Sequence, residues 1–429
     1  MLEYSLMIDD ANLDRSMSMQ ATEPSDFDYP SPRPPMVGKY LVRKGRVAAG
    51  LRAIDAACSV FASRAPTGSP GSGEEFHSIV FSQCGHLGDL IMTLPALHWV
   101  RQCRPNVKIG LIVGSWAKPM MEGIRSLYDV SYIADHFMLD RSSRPLKQKL
   151  ARHRQSWESA AAQIRQDGYD AAIECYPFLQ NSVPLLYSSD IPVRAGFTSG
   201  GFGPLLTHRA RWVHASRPFL DYPRDLLRML FSDRSLDNQF HPYYPLPPAN
   251  VKRPQQPYVI MQTGTGNPIR EWAGDRWIGL ARELTSRGVS VVIAGAGARE
   301  RERAARIADA LPPQAVLDLC DRLSWDEFAD LVAGAAHVVC LESSTSHMAA
   351  AFKIPSTVIM PGTNDPKQFG PASDKANILT FKTPCAPCFR SHGCDHMACI
   401  HQVTASDATS SVLEALDFAK LQAVGLARS

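Results

Sequence analysis

Short runs of apolar residues, each about the length of a strand and closed off by turn residues, recur along most of the chain. Between His337 and Gly362 the order is HVVCLESSTSHMAAAFKIPSTVIMPG. Val338–Leu341 and Thr357–Met360 are apolar without alternation, the pattern of strands buried on both faces in a parallel sheet. Between them Ser346–Lys353 has helical composition, with Met348, Ala349, Ala350, Ala351 and Phe352, and Pro355 stops it. Upstream the same rhythm runs Tyr258–Gln262 (strand), Arg276–Ser286 (helix), Val289–Ala294 (strand), Glu300–Leu311 (helix), Val316–Leu319 (strand) and Trp325–Ala333 (helix). An earlier unit opens with a strand over His77–Ser82. A glycine turn at Gly85 and Gly88 leads from it into a helix carrying Leu90, Ile91, Leu94, Leu97 and Val100. Further strands are predicted over Val107–Val113 and Ala171–Cys175. Strand, turn, helix and strand in succession make βαβ units and parallel, doubly wound sheets.

Proline-dense His241–Pro257 separates the two series, so two α/β domains facing a central cleft are expected, over residues 76–245 and 255–420. Residues 1–75 precede them. About 38 of these are rich in Ser, Asp and Pro and predict disorder, and Ala65–Glu75 reads as a flexible linker. Over residues 39–61, Val47, Leu51, Ile54, Cys58 and Phe61 recur at helical spacing beside Lys39, Arg43, Lys44, Arg46 and Arg52. Two readings fit equally: a basic amphipathic helix in peripheral contact with an anionic membrane, or a helix packed on the following domain with its charges solvated.

With 429 residues, 45% of them hydrophobic, the chain can bury two cores. A net charge of +3 gives no argument for nucleic acid. No stretch approaches the ~18 apolar residues of a membrane span, and the acidic first residues do not read as a signal peptide, so a cytoplasmic location is expected. The ten cysteines are then expected as thiols or metal ligands. Cys385, Cys388, Cys394 and Cys399 lie within fifteen residues, interleaved with His392, His396 and His401, a pattern suited to a structural Zn or Fe site on the loop 385–399. A structural loop without metal is the equal alternative.

The candidate chemistry collects where strands give way to helices. Glu342-Ser343-Ser344-Thr345-Ser346-His347 joins a strand to a helix, where free N–H groups and the helix dipole favour a phosphate. Helix capping by the same hydroxyls is the plainer reading. Asp89 stands in the first turn after Gly85 and Gly88, placed to take a proton from an attacking hydroxyl. Thr263-Gly264-Thr265-Gly266 with Arg270 after it suits a diphosphate, held by N–H groups and hydroxyls and offset by the guanidinium. Its spacing is not that of a Walker loop, which disfavours an ATPase.

Taken in order, these stretches resemble glycosyltransferase family 9, the ADP-heptose:lipopolysaccharide heptosyltransferases. Gly88-Asp89-Leu90-Ile91-Met92-Thr93-Leu94-Pro95-Ala96-Leu97 matches the family's opening motif of Gly-Asp, apolar positions, Thr, Pro, Ala and Leu. Thr263–Trp272, His347-Met348-Ala349-Ala350-Ala351 and Cys385-Ala386-Pro387-Cys388-Phe389 continue the match, which spans roughly residues 76 to 415. The resemblance implies a GT-B fold of two Rossmann-like domains, an acceptor side followed by a nucleotide-sugar side, and inverting sugar transfer with no cofactor in the chemistry. It implies Asp89 as general base and Arg270, where the family usually has Lys, as the cation on the diphosphate. Gly88, Thr263, Gly264, Glu342, Ser343, Ser344, Thr345 and His347 would line the donor. The implied donor is ADP-heptose and the implied acceptor a lipopolysaccharide core or related glycan, met at the inner face of the cytoplasmic membrane. Another sugar nucleotide, a protein acceptor, or a degenerate member that only binds a glycan or partner are the alternatives. Glu342-Ser343-Ser344 departs from the family's Asp-Ser/Thr-Gly, trading a shorter acid and a glycine for longer side chains.

Overall fold

The computed structural model describes residues 39–423 except 43, 63–75, 213–216, 247–250 and 391. The expected disorder before residue 39 and the linker over 65–75 lie outside the described residues. Two six-stranded sheets form the framework, every pair of neighbouring strands parallel. The first contains β1 (Ser78–Gln83), β2 (Lys108–Val113), β3 (Val130–Ile133), β4 (Ala171–Glu174), β5 (Val193–Phe197) and β6 (His208–Ala210), in the order β3-β2-β1-β4-β5-β6. The second contains β7 (Tyr258–Gln262), β8 (Ser290–Ile293), β9 (Val316–Asp318), β10 (His337–Leu341), β11 (Ser356–Ile359) and β12 (Ala376–Leu379), in the order β12-β11-β10-β7-β8-β9. Numbered within each half, the two orders are the same, the doubly wound arrangement in which the chain reverses direction of growth between its first and fourth strands. This two-domain Rossmann-like architecture agrees with the fold expected from the sequence.

β1, β7, β10 and β11 are buried along their whole length, which is why their sequences lack alternation. Helix Leu87–Cys103 lies between the first sheet and the second half and is enclosed on nearly all sides, from Leu90 to Val100. It packs against helix Ser344–Ala351 of the second half. One continuous core therefore runs from Phe81 and Leu97 through Leu227 and Tyr258 to Met348 and Val358. A second cluster under the far face of the second sheet holds Trp272, Trp277, Leu280 and Ile400.

The segment over residues 39–61 forms a helix, Gly45–Ala62, and part of it meets protein. Leu51 is buried against Gly201, whose left-handed backbone (φ +82°) leaves room for the leucine. Asp55 is buried and accepts from Tyr40 at 2.8 Å and from Lys39. Cys58 packs on Val183, Leu205 and Leu206. Ile54, expected on the apolar face, is instead exposed, as are Val60, Arg46 and Arg52. The helix thus packs on the domain through one narrow stripe. Among the described residues no helix is long and apolar enough to cross a membrane.

Candidate active site

In both sheets the carboxyl ends of the first and fourth strands flank the point where the strand order reverses, and this is where a ligand crevice forms in such sheets. β1 leads to Gly85–Asp89 and β4 to Tyr176; β7 leads to Thr263–Gly266 and β10 to Glu342–Ser346. The two crevices face each other across the helix pair Leu87–Cys103 and Ser344–Ala351.

On the first side, Asp89 Oδ2 accepts the His86 N–H at 2.8 Å. The Gln83 amide donates to Thr93 Oγ1 at 3.0 Å, and that hydroxyl donates to the Asp89 carbonyl at 2.9 Å. The threonine of the Gly-Asp motif is therefore a brace for the helix turn that carries Asp89. Trp116 Nε1 holds the Gly85 carbonyl at 2.7 Å, and a Cβ on Gly85 would fall 2.7 Å from both Asp89 Oδ2 and the Tyr176 ring. Walled in this way, the Asp89 carboxyl is pushed up to about 6; burial and the Glu342 charge raise it, while the His86 N–H and Arg141 oppose them. His86 is pushed down to about 4 by burial and by Arg141 and Arg270, so its ring is neutral. Arg141, from the loop after β3, places Nη2 at 2.8 Å from His86 Nε2.

On the second side, Arg270 Nη1 pairs with Glu342 Oε1 at 3.1 Å, and Asn364 Nδ2 donates to the same oxygen at 2.6 Å. Burial raises the Glu342 carboxyl, with Arg270 and Asn364 opposing. Glu342 Oε2, Arg270 Nε and Thr363 Oγ1 are all buried without a hydrogen-bond partner among the described residues, polar atoms of the kind a ligand satisfies. Ser343 is the N-cap of its helix by backbone position, yet its hydroxyl donates to Gln262 Oε1 at 2.8 Å and no side chain caps the helix. The plainer capping reading of these hydroxyls is thereby lost at Ser343. Gln262 passes the chain on, donating to Glu300 at 2.8 Å and to the Gly264 carbonyl at 2.9 Å. Gly264 is needed because a Cβ there would strike the Glu300 carboxyl at 2.1 Å. Thr265 Oγ1 donates to the Glu342 carbonyl at 3.1 Å, which joins the two loops of this side.

Glu342, Ser343, Arg270 and Gly264 thus share one wall, with Asp89 and Gly88 on the other. His347 is buried, its ring against Gly88, and pushed down to about 4, a neutral packing partner for the opposite half. Ser344 approaches Gly88 through its Cα. Thr345 and Thr263 are buried, and the Thr263 carbonyl accepts from Arg303 at 2.6 Å. Sequence reasoning missed His86, Arg141, Asn364 and Glu300. Of these only Glu300 gave a sequence signal, an acid in the first turn of a helix after a glycine loop.

The cysteine loop lies at the end of β11. Cys385, Cys388 and Cys399 are buried and Cys394 is half-buried; burial pushes the Cys399 thiol up to about 11, with the other three thiols adding to the rise. Yet among the described residues no group of three or more His, Cys, Asp or Glu side chains is placed to hold a metal ion. The loop is held by main-chain bonds, Cys388 N–H to the Gly362 carbonyl and Phe381 N–H to the Cys399 carbonyl, both 2.9 Å, and Cys385 turns to the Thr383 hydroxyl at 3.4 Å.

Residues 157–396 match the model of glycosyltransferase family 9 (heptosyltransferase). The chain is 27% identical over 342 residues to lipopolysaccharide heptosyltransferase 1 of Pseudomonas aeruginosa, a match covering 77% of this chain and 89% of that protein. The structure is similar to that of Escherichia coli ADP-heptose lipopolysaccharide heptosyltransferase II, with a TM-score of 0.61 and 17% identity, covering 80% of this chain and 99% of that one. It is also similar to E. coli heptosyltransferase WaaC solved with ADP-2-deoxy-2-fluoro heptose, with a TM-score of 0.58 and 18% identity over 79% and 99% of the two chains.

Proposed function

The chain belongs to glycosyltransferase family 9, and from that premise we propose that it moves a heptosyl group from ADP-heptose to a lipopolysaccharide core or a related glycan, with inversion. The single observation that carries the mechanism is the placement of Asp89, at about 6, across the cleft from Arg270 and the unpartnered polar atoms of Glu342 and Thr363. A carboxylate poised near the working pH is a suitable general base. In the step, the acceptor oxygen attacks the anomeric carbon of the donor while Asp89 takes the hydroxyl proton. The bond from that carbon to the diphosphate oxygen breaks, and its electron pair leaves on ADP. Arg270 offsets the charge that develops there, assisted by the N–H groups at the start of helix Ser344–Ala351. Residues 76–245 would carry the acceptor and 255–420 the sugar nucleotide.

An acidic acceptor is favoured by what lies beside the first crevice. The helix Leu146–Asp167 begins with Lys147 and Lys149, next to exposed Leu146 and Leu150, while Arg152 and Arg154 further along are paired with Asp135 and Glu158. Arg46, Arg52, Ile54 and Val60 on the outer side of helix Gly45–Ala62 suit peripheral contact with an anionic lipid surface, in keeping with action at the inner face of the cytoplasmic membrane. A catalytically degenerate binder is the second reading, and the observation in its favour is that Glu342 already neutralises Arg270.

Thermal stabilisation by ADP, UDP, GDP, CMP and ADP-heptose tests the donor. A ligand at about 100 times its dissociation constant adds about 2.7 kcal/mol to the folded state. Selective stabilisation by ADP and ADP-heptose, followed by transfer to a core acceptor, is the expected result. Preference for UDP or GDP changes the donor, and binding without transfer to any acceptor favours the degenerate reading.

A further inference from the structure

The geometry brings Arg141, a charged side chain of the first half, onto the glycine loop of the second. A Cβ built on Gly266 would lie 1.8 Å from Arg141 Nη1, so the guanidinium rests directly on the Gly266 backbone. The other end of the same group meets His86 Nε2 at 2.8 Å. His86 is neutral and accepts through Nε2, so it gives the arginine no counter-charge, and the Asp89 carboxyl acts on Arg141 only through space, without a direct ion pair. Among the described residues Arg141 forms no ion pair with a carboxylate. Its side chain stays open to the water of the cleft although both halves wall it in.

Arg270 approaches the same place from the opposite half. Its charge depresses both His86 and Arg141, which puts two guanidinium groups within electrostatic reach of each other. Bringing like charges together is unfavourable unless an anion comes between them. The loop between them, Thr263–Gly266, presents backbone and hydroxyl groups suited to phosphate oxygens. Glu342 pairs with Arg270 and accepts from Asn364 through Oε1, and it makes no ion pair with Arg141.

We propose that Arg141 is a second cation for the donor diphosphate, supplied by the acceptor half and reaching the leaving group only while the two halves are together. This rests on the sugar-nucleotide reading above and adds a residue to it. The consequence is a coupling: the charge that leaves with the nucleotide is fully offset only when the half that carries Asp89 has closed on the half that carries Arg270. A guanidinium is suited to the task because it can lie flat on Gly266 and still present a forked edge to two phosphate oxygens.

The test uses the full chain and inorganic pyrophosphate, which carries the proposed charge without sugar or base. Calorimetric titration with pyrophosphate and with ADP is compared for the parent, Arg141→Ala, Arg141→Lys and Gly266→Ala, with melting temperatures confirming that each variant is folded. Arg141→Ala is expected to weaken pyrophosphate roughly tenfold to a hundredfold, the usual range for a charge-assisted contact, with Arg141→Lys between it and the parent. Gly266→Ala, which displaces the guanidinium, is expected to weaken binding similarly and to add little in the Arg141→Ala background. Steady-state transfer from ADP-heptose should show kcat falling in Arg141→Ala while the acceptor KM holds. Pyrophosphate affinity unchanged by Arg141→Ala, a parent that binds no pyrophosphate, or a rise confined to the acceptor KM would each overturn the proposal. Arg141-dependent pyrophosphate binding without turnover of ADP-heptose would support it and sink the heptose donor instead.

Discussion

Gly88 and His347 meet across the cleft so closely that a Cβ on the glycine would lie 3.3 Å from the histidine ring. Both come from the motifs that run through the two halves, and Gly88 stands directly beside Asp89. Gly88→Ala forces the ring to give by a few tenths of an ångström. We expect it to cost about 1 kcal/mol of stability and a few-fold of kcat/KM. Gly88→Val should hold the halves apart and abolish transfer with the melting temperature lowered only modestly. Unimpaired turnover by the valine variant would mean that this contact does not set the cleft.

Asp89 makes a pH prediction with a definite sign. Its carboxyl is raised from 3.8 to about 6, so the folded protein holds that proton more tightly than the unfolded chain does. The group's contribution to stability is therefore full below 3.8 and is lost as pH rises through 6. Asp89→Asn should be more stable than the parent at pH 7, by on the order of 2 kcal/mol, and less than 1% as active. The parent's kcat/KM should climb about tenfold per pH unit below 6 and then level. His86 and His347, both near 4, remain neutral over that range and do not shape the curve. A flat profile from pH 5 to 8 would remove Asp89 as the base.

Arg270 and Glu342 are separable by substitution. Arg270→Ala leaves a buried carboxylate with only Asn364 beside it, and we expect a loss on the order of 3 kcal/mol in unfolding free energy together with loss of ADP binding. Glu342→Gln keeps the shape and frees the cation. It should tighten ADP severalfold, read by calorimetry, if the nucleotide's phosphates displace Glu342 from Arg270. Weaker ADP binding in that variant would instead make the carboxylate a direct contact of the donor.

Leu51 is the anchor of helix Gly45–Ala62. Leu51→Ala opens space over Gly201 and should cost about 2–3 kcal/mol locally. The helix would detach before the sheets unfold, and limited proteolysis should then cut near residue 62 at a rate well above the parent's. Equal protease resistance would mean that Asp55 and Cys58 hold the helix without the leucine.

How much of this was legible follows from which strands are buried. β7 and helix Trp325–Ala333 have the bounds read from the sequence, and β1, β10 and β11 differ by a residue or so, because full burial leaves short unbroken apolar runs. β3, β5 and the helix Leu146–Asp167 went unassigned. The helix spans 22 residues but buries only Ala160 and Ile164, so its apolar period is too sparse to detect. β5 carries Arg194, whose guanidinium is buried against the Leu205 and Ile191 carbonyls, contacts that no local pattern announces. In the candidate site, Asp89 and Glu342 were legible from their place after strand ends and Arg270 from its place after a glycine loop. Arg141 was not, since what makes it matter is a glycine 125 positions away in sequence, brought near by the fold. The spacing of the four cysteines left a metal site and a metal-free loop equally open, and it did not show the main-chain bonds Cys388 N–H to Gly362 and Phe381 N–H to Cys399 that hold the loop's course.

The identical strand order of the two sheets has an evolutionary corollary. Each half is a complete wound unit with its own crevice, and among the described residues the strands pass from one unit to the other once, between β6 and β7. Recognition of one reactant can therefore be rewritten without disturbing recognition of the other. Residues that reach over the seam must change in concert: Arg141 on Gly266, His347 on Gly88, and also Phe219 and Tyr222 on Gln368 and Tyr244 on Trp325. On the proposed division of roles, a hybrid joined within residues 241–257 that matched those contacts would inherit its acceptor from one parent and its donor from the other.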